Sequence, residues 1–407
     1  MIHYFTSITE NYLAKARVLC KTLKEHNPTC KFYVGLTGDM PPNLNTAMEP
    51  FDGIILTHDL ELITQKDIFF FKHTITEVCT ALKPALALTL IQKFNAGKVV
   101  YLDPDIMVFS ELNEIDLLLD RYSMVFTPHQ LDFEEDDSYV VSNEILFLKR
   151  GTYNLGFFGV KADENGLKFL KWWNKRLLDY CFDEADESFD IPGLDRFPGM
   201  FTDQKWIDLV PAFFDGYHIL KDPGYNVCTW NMTQRQIQKT GDYSYTVNGR
   251  PLRFFHFSGF DTGAHHNEMQ RVIDYNQKNR DTVMLSARYK KRLMENGQKQ
   301  VENIPYKYRD YSNGEFISNL ERKILHLKRD LYNIFPNPFM VVEGSCYYKW
   351  VREVYGPYVE KSRRKQIARE ISYKKALNLL FPPSTARGQW LRKMRRAIMG
   401  IKNIEAK

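Results

Sequence analysis

Two aspartates separated by a proline, Asp103 and Asp105, have the residue types and spacing to bind one divalent cation. They follow an apolar run over residues 99–102 that predicts a strand buried on both faces. Because Pro104 cannot donate to a sheet, we expect the strand to break there and release both carboxylates. Ligands bind at that edge of open α/β sheets, where a diphosphate can add oxygens to a shared cation. The alternative is a turn in which both aspartates cap the next element.

The preceding residues alternate between strand and helix patterns. Strands are predicted at residues 3–8, 31–37 and 53–57, before the strand that leads to Asp103. Helices are predicted at residues 11–25, with Asn11 as the N-cap, and 75–95, where Pro84 should kink or divide the helix. This alternation predicts an α/β fold with a mostly parallel central sheet flanked by helices.

Three segments differ in pattern and charge. We expect an α/β domain over residues 1–266, a helical extension over 267–360 and a basic amphipathic tail over 361–407. The tail carries 14 Lys and Arg against two Glu, whereas the remainder of the chain is mildly acidic.

The composition of the 407-residue chain, 44% hydrophobic, fits one large domain and a smaller one. The first residues pass directly into a strand pattern, so no signal peptide is expected, and no apolar run is expected to reach the roughly 18 residues of a membrane span. The six scattered cysteines form no C-x-x-C pair, which favours reduced thiols and a cytoplasmic location.

An ordered series of motifs over residues 1–261 resembles the GT-A glycosyltransferases, most closely the family 8-type retaining enzymes and bacterial relatives that build surface polysaccharides such as lipopolysaccharide. The motifs are TSITENYLAKA, CTALKP, YLDPD, YNLGFFGVK, TDQKWID, GYNVCTWN and FFHFSGFD. The resemblance implies a GT-A catalytic domain, Rossmann-like, that takes a hexose from a nucleotide sugar, usually a UDP-sugar. It implies Mn²⁺, or Mg²⁺, as the cofactor.

The resemblance also implies the metal ligands and the donor-binding residues. Asp103, Asp105 and His256 match the metal ligands, and two carboxylates with a neutral imidazole suit Mn²⁺ better than Ca²⁺. For His256 the alternative is an ordinary core histidine. The positions that match donor-binding residues are Ser7, Thr9, Asn11, Lys83, Asp103, Asp105, Gly156 and Gly259. Lys83 would neutralise the diphosphate, and its alternative is a solvated helix lysine.

Asp203, Gln204 and Asn154 match the residues that surround the transferred sugar, which makes them the catalytic candidates. Retention requires a double displacement or a front-face route, and of these we favour the front-face route because Gln204 is a poor nucleophile. The acceptor-binding candidates are Trp206, Trp230 and Asn231, with packing in the core as the alternative for both tryptophans.

Two other functions fit parts of the sequence. A D-x-D phosphohydrolase would use Asp103 as its nucleophile, but its motif requires Thr or Val at the position of Met107. A catalytically inactive sugar-binding or scaffolding subunit would keep the fold without turnover, and the intact site motifs argue against that loss.

The tail segment 389–401 places Trp390, Leu391, Met394, Ile398 and Ile401 near one helical face, with arginines and a lysine around them. This pattern predicts attachment to an anionic membrane surface, which suits an enzyme that extends a lipid-linked glycan on the inner face of the plasma membrane. The alternatives are packing on the catalytic domain and contacts in a homodimer. Nucleic-acid binding is not expected, because the tail lacks interleaved aromatic residues.

Overall fold

The computed structural model describes residues 1–42, 44–183, 191, 193–194 and 199–380, with side chains described through residue 368. The tail segment 389–401 lies outside the described residues. The β-strands are β1 (Ile2–Thr9), β2 (Lys31–Thr37), β3 (Gly53–Leu56), β4 (Lys98–Leu102), β5 (Ile106–Val108), β6 (Met124–Pro128), β7 (Tyr153–Lys161), β8 (Tyr217–Ile219), β9 (Ile237–Lys239), β10 (Tyr245–Val247), β11 (Arg250–Pro251) and β12 (Phe254–His256).

The α-helices alternate with the strands up to residue 180 and dominate from residue 264 onward. They are α1 (Leu13–His26), α2 (Lys66–Lys72), α3 (Ile75–Ala81), α4 (Lys83–Phe94), α5 (Asn113–Arg121), α6 (Asp137–Tyr139), α7 (Ile145–Arg150), α8 (Glu164–Tyr180), α9 (Gln204–Ile207), α10 (Val210–Phe213), α11 (Ala264–Tyr275), α12 (Thr282–Glu295), α13 (Gln298–Val301), α14 (Asn319–Leu327) and α15 (Tyr347–Leu380).

Seven strands form the central sheet in the order β3-β2-β1-β4-β7-β6-β8. The β1–β2, β2–β3, β1–β4 and β6–β8 pairs are parallel, and β7 is antiparallel to both of its neighbours. One hydrophobic cluster joins one face of the sheet to α4 and α8, and a second joins the other face to α1 and α5. The predicted α/β class with a mostly parallel central sheet is confirmed.

Two helix predictions have different outcomes. The helix predicted over residues 75–95 divides, with α3 ending at Ala81 and α4 beginning at Lys83, as the position of Pro84 requires. The prediction that Asn11 is the N-cap of the first helix was wrong. Residues 10–12 form a 3-10 turn, α1 starts at Leu13, and the Asn11 side chain accepts a hydrogen bond from the Thr9 hydroxyl instead.

The stretch Ile75–Phe94 is long and apolar enough to cross a membrane by length and composition alone, so the expectation that no segment reaches that length was wrong. Within the protein, 67% of the apolar 18-residue window in this stretch is buried. Together with the division between α3 and α4, this burial is typical of a core helix in a folded domain.

The helical extension is attached to the sheet domain through buried side chains. The Arg322 guanidinium on α14 is 4% exposed and donates to the carbonyls of Phe71 and His73 at 2.7 and 3.3 Å. It also donates to the carbonyl of Tyr308. One hydrophobic cluster contains Phe71 of α2 together with residues of α14 and α15. Arg322 thus provides hydrogen-bond donors for the C-terminal end of α2, which lies far away in sequence.

A pair of buried histidines at this contact gives a testable dependence on pH. The rings of His73 and His326 lie 4.7 Å apart, and burial, with Lys72 nearby, holds both pKa values well below the ordinary value. The unfolded chain therefore takes up protons as the pH falls below about 6.5 while the folded chain does not, so acidification lowers the free energy of unfolding by about 1.4 kcal/mol per pH unit and histidine.

We expect His326→Gln to lose less stability than the wild type, by about 1.4 kcal/mol, when the pH is lowered from about 7.5 to about 5.5. Urea unfolding at both pH values measures this difference. Equal losses in the two proteins would contradict a neutral, buried His326.

Candidate active site

The candidate site lies where the sheet order reverses between β1 and β4, the edge at which ligands bind in open α/β sheets. Asp103 follows β4, and the strand is interrupted at Pro104 as predicted. It then leaves the central sheet and continues into β5, which pairs with β12 in a separate two-stranded sheet. This change of sheet directs both carboxylates to the edge.

Three potential metal ligands meet at this edge. The antiparallel register of β5 and β12 pairs His256 with Ile106, which brings the imidazole beside Asp105. The His256 Nε2 atom lies 3.1 Å from Asp105 Oδ1 and 3.5 Å from Asp103 Oδ2. One ligand atom from each residue lies within 4.8 Å of the others. Burial disfavours the imidazolium form of His256, but the two carboxylates outweigh this effect and raise its pKa.

Gly156 provides the space for this arrangement. Its carbonyl accepts a 2.8 Å hydrogen bond from the Asp103 backbone, because β7 runs beside β4. A Cβ atom at Gly156 would lie 2.6 Å from Cε1 of His256, closer than van der Waals contact allows. Gly156 therefore admits the ring of the candidate ligand, and any larger residue would displace it.

The donor set fits a divalent cation that prefers oxygen and accepts one imidazole, as Mn²⁺ does. The Tyr101 hydroxyl donates to Asp103 Oδ1 at 2.6 Å, which leaves Oδ2 facing His256. Sequence analysis did not assign Tyr101, although residues two apart in a strand share a face, and this period could have identified it.

Lys83 lies beneath this cluster and joins it to the sugar-pocket candidate Asp203. Its Nζ atom is 2.7 Å from Asp203 Oδ2 and 3.8 Å from Asp103 Oδ1, and it donates to the carbonyl of Leu155 at 2.9 Å. Lys83 and Asp203 are each 2% exposed, so Lys83 is not a solvated helix lysine. Burial disfavours the ammonium form, but Asp203 and Asp103 outweigh this effect and raise the pKa of Lys83. Burial raises the pKa of Asp203, and Lys83 opposes that rise.

The other two catalytic candidates are buried and held by hydrogen bonds. Gln204 donates through Nε2 to the carbonyl of Arg150 at 3.0 Å. Asn154 contacts Nε2 of His129, a residue that sequence analysis missed, at 3.2 Å. Burial lowers the pKa of His129 to about 3, so this imidazole is neutral at physiological pH. No local pattern could have identified His129, because it lies 25 residues before Asn154.

Three donor-binding candidates, Ser7, Thr9 and Asn11, lie at the carboxyl end of β1 or just after it. Ser7 and Thr9 are buried, and Asn11 reaches the rim of a cavity of about 880 Å³ between the sheet domain and the helical extension. Gly259 adopts a left-handed conformation (φ +70°) in the loop after β12. Lys15, which sequence analysis did not assign, extends from α1 to form an ion pair with Asp261 of that loop. An ion pair thus joins α1 to the loop after His256.

The three acceptor candidates occupy different surroundings. The Trp230 ring lies edge-on to His256 with centroids 5.4 Å apart, and its buried indole N–H has no hydrogen-bond partner among the described residues. Asn231 is buried, and its amide bonds backbone groups that include the carbonyl of His129. Trp206 donates to the carbonyl of Tyr180 and packs within an aromatic group on α8. Of the three, Trp230 lies beside the metal-ligand cluster.

Several solved structures that this chain resembles are glycosyltransferases. One is the galactosyltransferase LgtC in complex with donor and acceptor sugar analogs, at 16% identity and a TM-score of 0.42, covering 76% of this chain and 99% of LgtC. Another is the bifunctional glycosyltransferase WbbM, at 13% identity and a TM-score of 0.37, covering 71% of this chain and 51% of WbbM. At these values the likenesses assign no donor, acceptor or residue role.

Two uncharacterised proteins of Bacillus subtilis (strain 168) are similar in sequence. YfnD is 24% identical over 268 residues, which cover 63% of this chain and 78% of YfnD. YfnF is 28% identical over 195 residues, which cover 46% of this chain and 57% of YfnF. No protein-family model matches the chain.

Proposed function

We propose that this chain is a metal-dependent glycosyltransferase that moves a hexose from a UDP-sugar to a glycan or lipid-linked glycan, with retention, in the assembly of a bacterial surface polysaccharide. The observation that carries the proposal is the cluster of Asp103, Asp105 and His256, linked through Lys83 to a buried Asp203. Two carboxylates and an imidazole suit a cation that binds a diphosphate. The separate, buried carboxylate of Asp203 suits the sugar that is transferred.

The residues have separable tasks in this proposal. Asp103, Asp105 and His256 would hold Mn²⁺ or Mg²⁺, which when bound supplies positive charge to the diphosphate leaving group. Lys83 keeps the buried Asp203 carboxylate charged and fixed beside the metal ligands. Asp203 stabilises the positive charge that develops at the anomeric carbon, with Gln204 and Asn154 as its polar neighbours. Trp230, whose ring lies edge-on to His256, offers an aromatic surface to a sugar.

The test is UDP release by the purified chain from a panel of UDP-hexoses with Mn²⁺, and thermal shift under the same conditions shows which donors bind. We expect metal-dependent UDP release with at least one donor, because water can take the place of the acceptor hydroxyl at the anomeric carbon. Donor binding without release would favour the sugar-binding or scaffolding subunit. Release of free phosphate from sugar phosphates would favour the phosphohydrolase.

We further propose that the basic tail attaches the enzyme to an anionic membrane surface, and the support for this is the amphipathic pattern of residues 389–401. We expect the full chain to co-sediment at low salt with vesicles that contain phosphatidylglycerol, and a chain ending near Pro383 to stay in the supernatant. If both proteins behave alike, the tail does not provide the attachment.

A further inference from the structure

Asn226 contacts the candidate metal ligand His256 on the side opposite to the carboxylates. It is 1% exposed, and its Oδ1 atom lies 3.3 Å from Nδ1 of His256. Its Nδ2 atom donates to Asn154 Oδ1 and to the Thr127 hydroxyl, each at 2.9 Å. Because the nitrogen of this amide is occupied by those two acceptors, the oxygen is the atom that faces His256.

The series of hydrogen bonds continues from Asn226 through Asn154 to His129, and in each of them the donor and the acceptor can be assigned. Asn154 Oδ1 also accepts from the backbone N–H of Gly156 at 3.0 Å, so Asn154 Nδ2 faces His129 Nε2 at 3.2 Å. His129 Nδ1 lies 3.3 Å from the carbonyl of Thr152, to which it can only donate. His129 therefore accepts at Nε2, and each side-chain amide in the series has one possible orientation.

We propose that Asn226 is a positioning residue for the metal ligand His256, acting through this hydrogen-bond relay of Asn226, Asn154 and His129. Asn226 Oδ1 accepts a hydrogen bond from the Nδ1–H of His256, which leaves the lone pair of Nε2 directed at the space between Asp103 and Asp105. Metal-bound histidines commonly donate their other ring N–H to such an acceptor, which fixes the tautomer and the ring orientation. The inference rests on the proposed function, because it assigns His256 as a metal ligand.

The backbone holds Asn226 in place for this task. Its φ of +49° is in the left-handed region, which asparagine tolerates better than most residues. Its carbonyl accepts from Asn231 Nδ2 at 3.0 Å and from Arg235 Nη1 at 3.2 Å. The next residue, Val227, accepts a 2.7 Å hydrogen bond from the backbone N–H of His256. The distance between Asn226 and the imidazole is therefore set by backbone pairing as well as by side chains.

The test is Mn²⁺ affinity. It is measured from the electron paramagnetic resonance signal of free Mn²⁺ as the purified full chain is added. Asn226→Gly removes the acceptor without straining the left-handed backbone. We expect it to weaken Mn²⁺ binding by about 10- to 100-fold. Asn226→Asp keeps an acceptor oxygen toward His256 but loses the donor to Asn154, so it is expected to bind Mn²⁺ more tightly than Asn226→Gly. With ¹⁵N-labelled histidine and the diamagnetic Mg²⁺ in place of Mn²⁺, His256 of the metal-bound wild type should carry its proton on Nδ1, and Asn226→Gly should lose that preference.

Asn279→Gly is the matched control, because Asn279 is an equally buried amide that bonds Ile237 N–H and the Met232 carbonyl. We expect its Mn²⁺ affinity to equal that of the wild type. Unchanged affinity in a folded Asn226→Gly protein would overturn the inference while leaving the metal site and the proposed function intact. If the wild type itself binds no Mn²⁺, the proposed function fails, and this inference with it.

Discussion

Replacing His256 with alanine is expected to reduce sugar transfer by about a thousandfold or more, and Asp105→Ala should do the same. Each change removes one of the three ligand atoms that lie within 4.8 Å of one another. No other described histidine, aspartate, glutamate or cysteine belongs to such a cluster, so no neighbouring side chain is placed to substitute. Turnover is measured as UDP release at saturating Mn²⁺, and the wild type should lose the same activity in chelator.

His58→Ala serves as the control, since His58 is a partly exposed histidine just after β3 that pairs with Asp59 at 3.2 Å and lies outside the metal-ligand cluster. It should keep wild-type turnover. Circular dichroism of all three variants shows whether the fold survives the change. Full activity in a metal-ligand variant, or in the wild type with chelator, would refute the metal assignment.

Lys83→Met is expected to lower both stability and turnover, because it leaves two carboxylates without their buried cation. Breaking a buried ion pair on one side costs about 3–5 kcal/mol. Burial then favours the protonated form of Asp203, so turnover should fall by about a hundredfold or more. Asp203→Asn should cause a similar loss of turnover, while affinity for UDP stays near the wild-type value. Urea unfolding, turnover and UDP calorimetry measure the three quantities.

The double variant Lys83→Met/Asp203→Asn separates the two effects. It should recover much of the stability lost by Lys83→Met, since no uncompensated charge remains between the two sites, but it should not recover turnover. Lys93→Met is the control, because Lys93 lies on the same helix but in an exposed ion pair with Glu61. It should change the free energy of unfolding by less than about 0.5 kcal/mol. If Asp203→Asn weakens UDP binding as much as turnover, Asp203 belongs to the nucleotide site.

The features that could be predicted from sequence depend on neighbours in the chain. The strand break at Pro104 and the division of the helix at Pro84 follow from the missing N–H of proline. The mostly parallel sheet follows from the alternation of strands and helices. His256 was reached through the resemblance to a family, and the pairing of β12 with β5 explains its position beside Asp105.

The remaining features depend on contacts between distant segments. Asn226 lies 30 residues from His256, within a motif that sequence analysis quoted but did not assign to a task. Lys83 had been predicted to face the diphosphate, and its contact with Asp203, a residue distant in sequence, arises only when the chain folds. Asn11 was predicted to be an N-cap because capping is a local preference, whereas the 3-10 turn at residues 10–12 moved the start of α1. Tertiary packing decided each of these positions.

The contact of Arg322 with the carbonyl of Phe71 spans 251 residues and has a consequence during synthesis of the chain. At about 5–20 residues per second, a ribosome takes roughly 13–50 s to deliver the arginine after the phenylalanine. During that time the end of α2 lacks both its hydrogen-bond donor and the apolar side chains of α14 and α15. The nascent sheet domain therefore exposes an apolar surface at the end of α2, which a chaperone can bind. Chains that end before α14 would leave this surface uncovered permanently and are expected to accumulate as inclusion bodies.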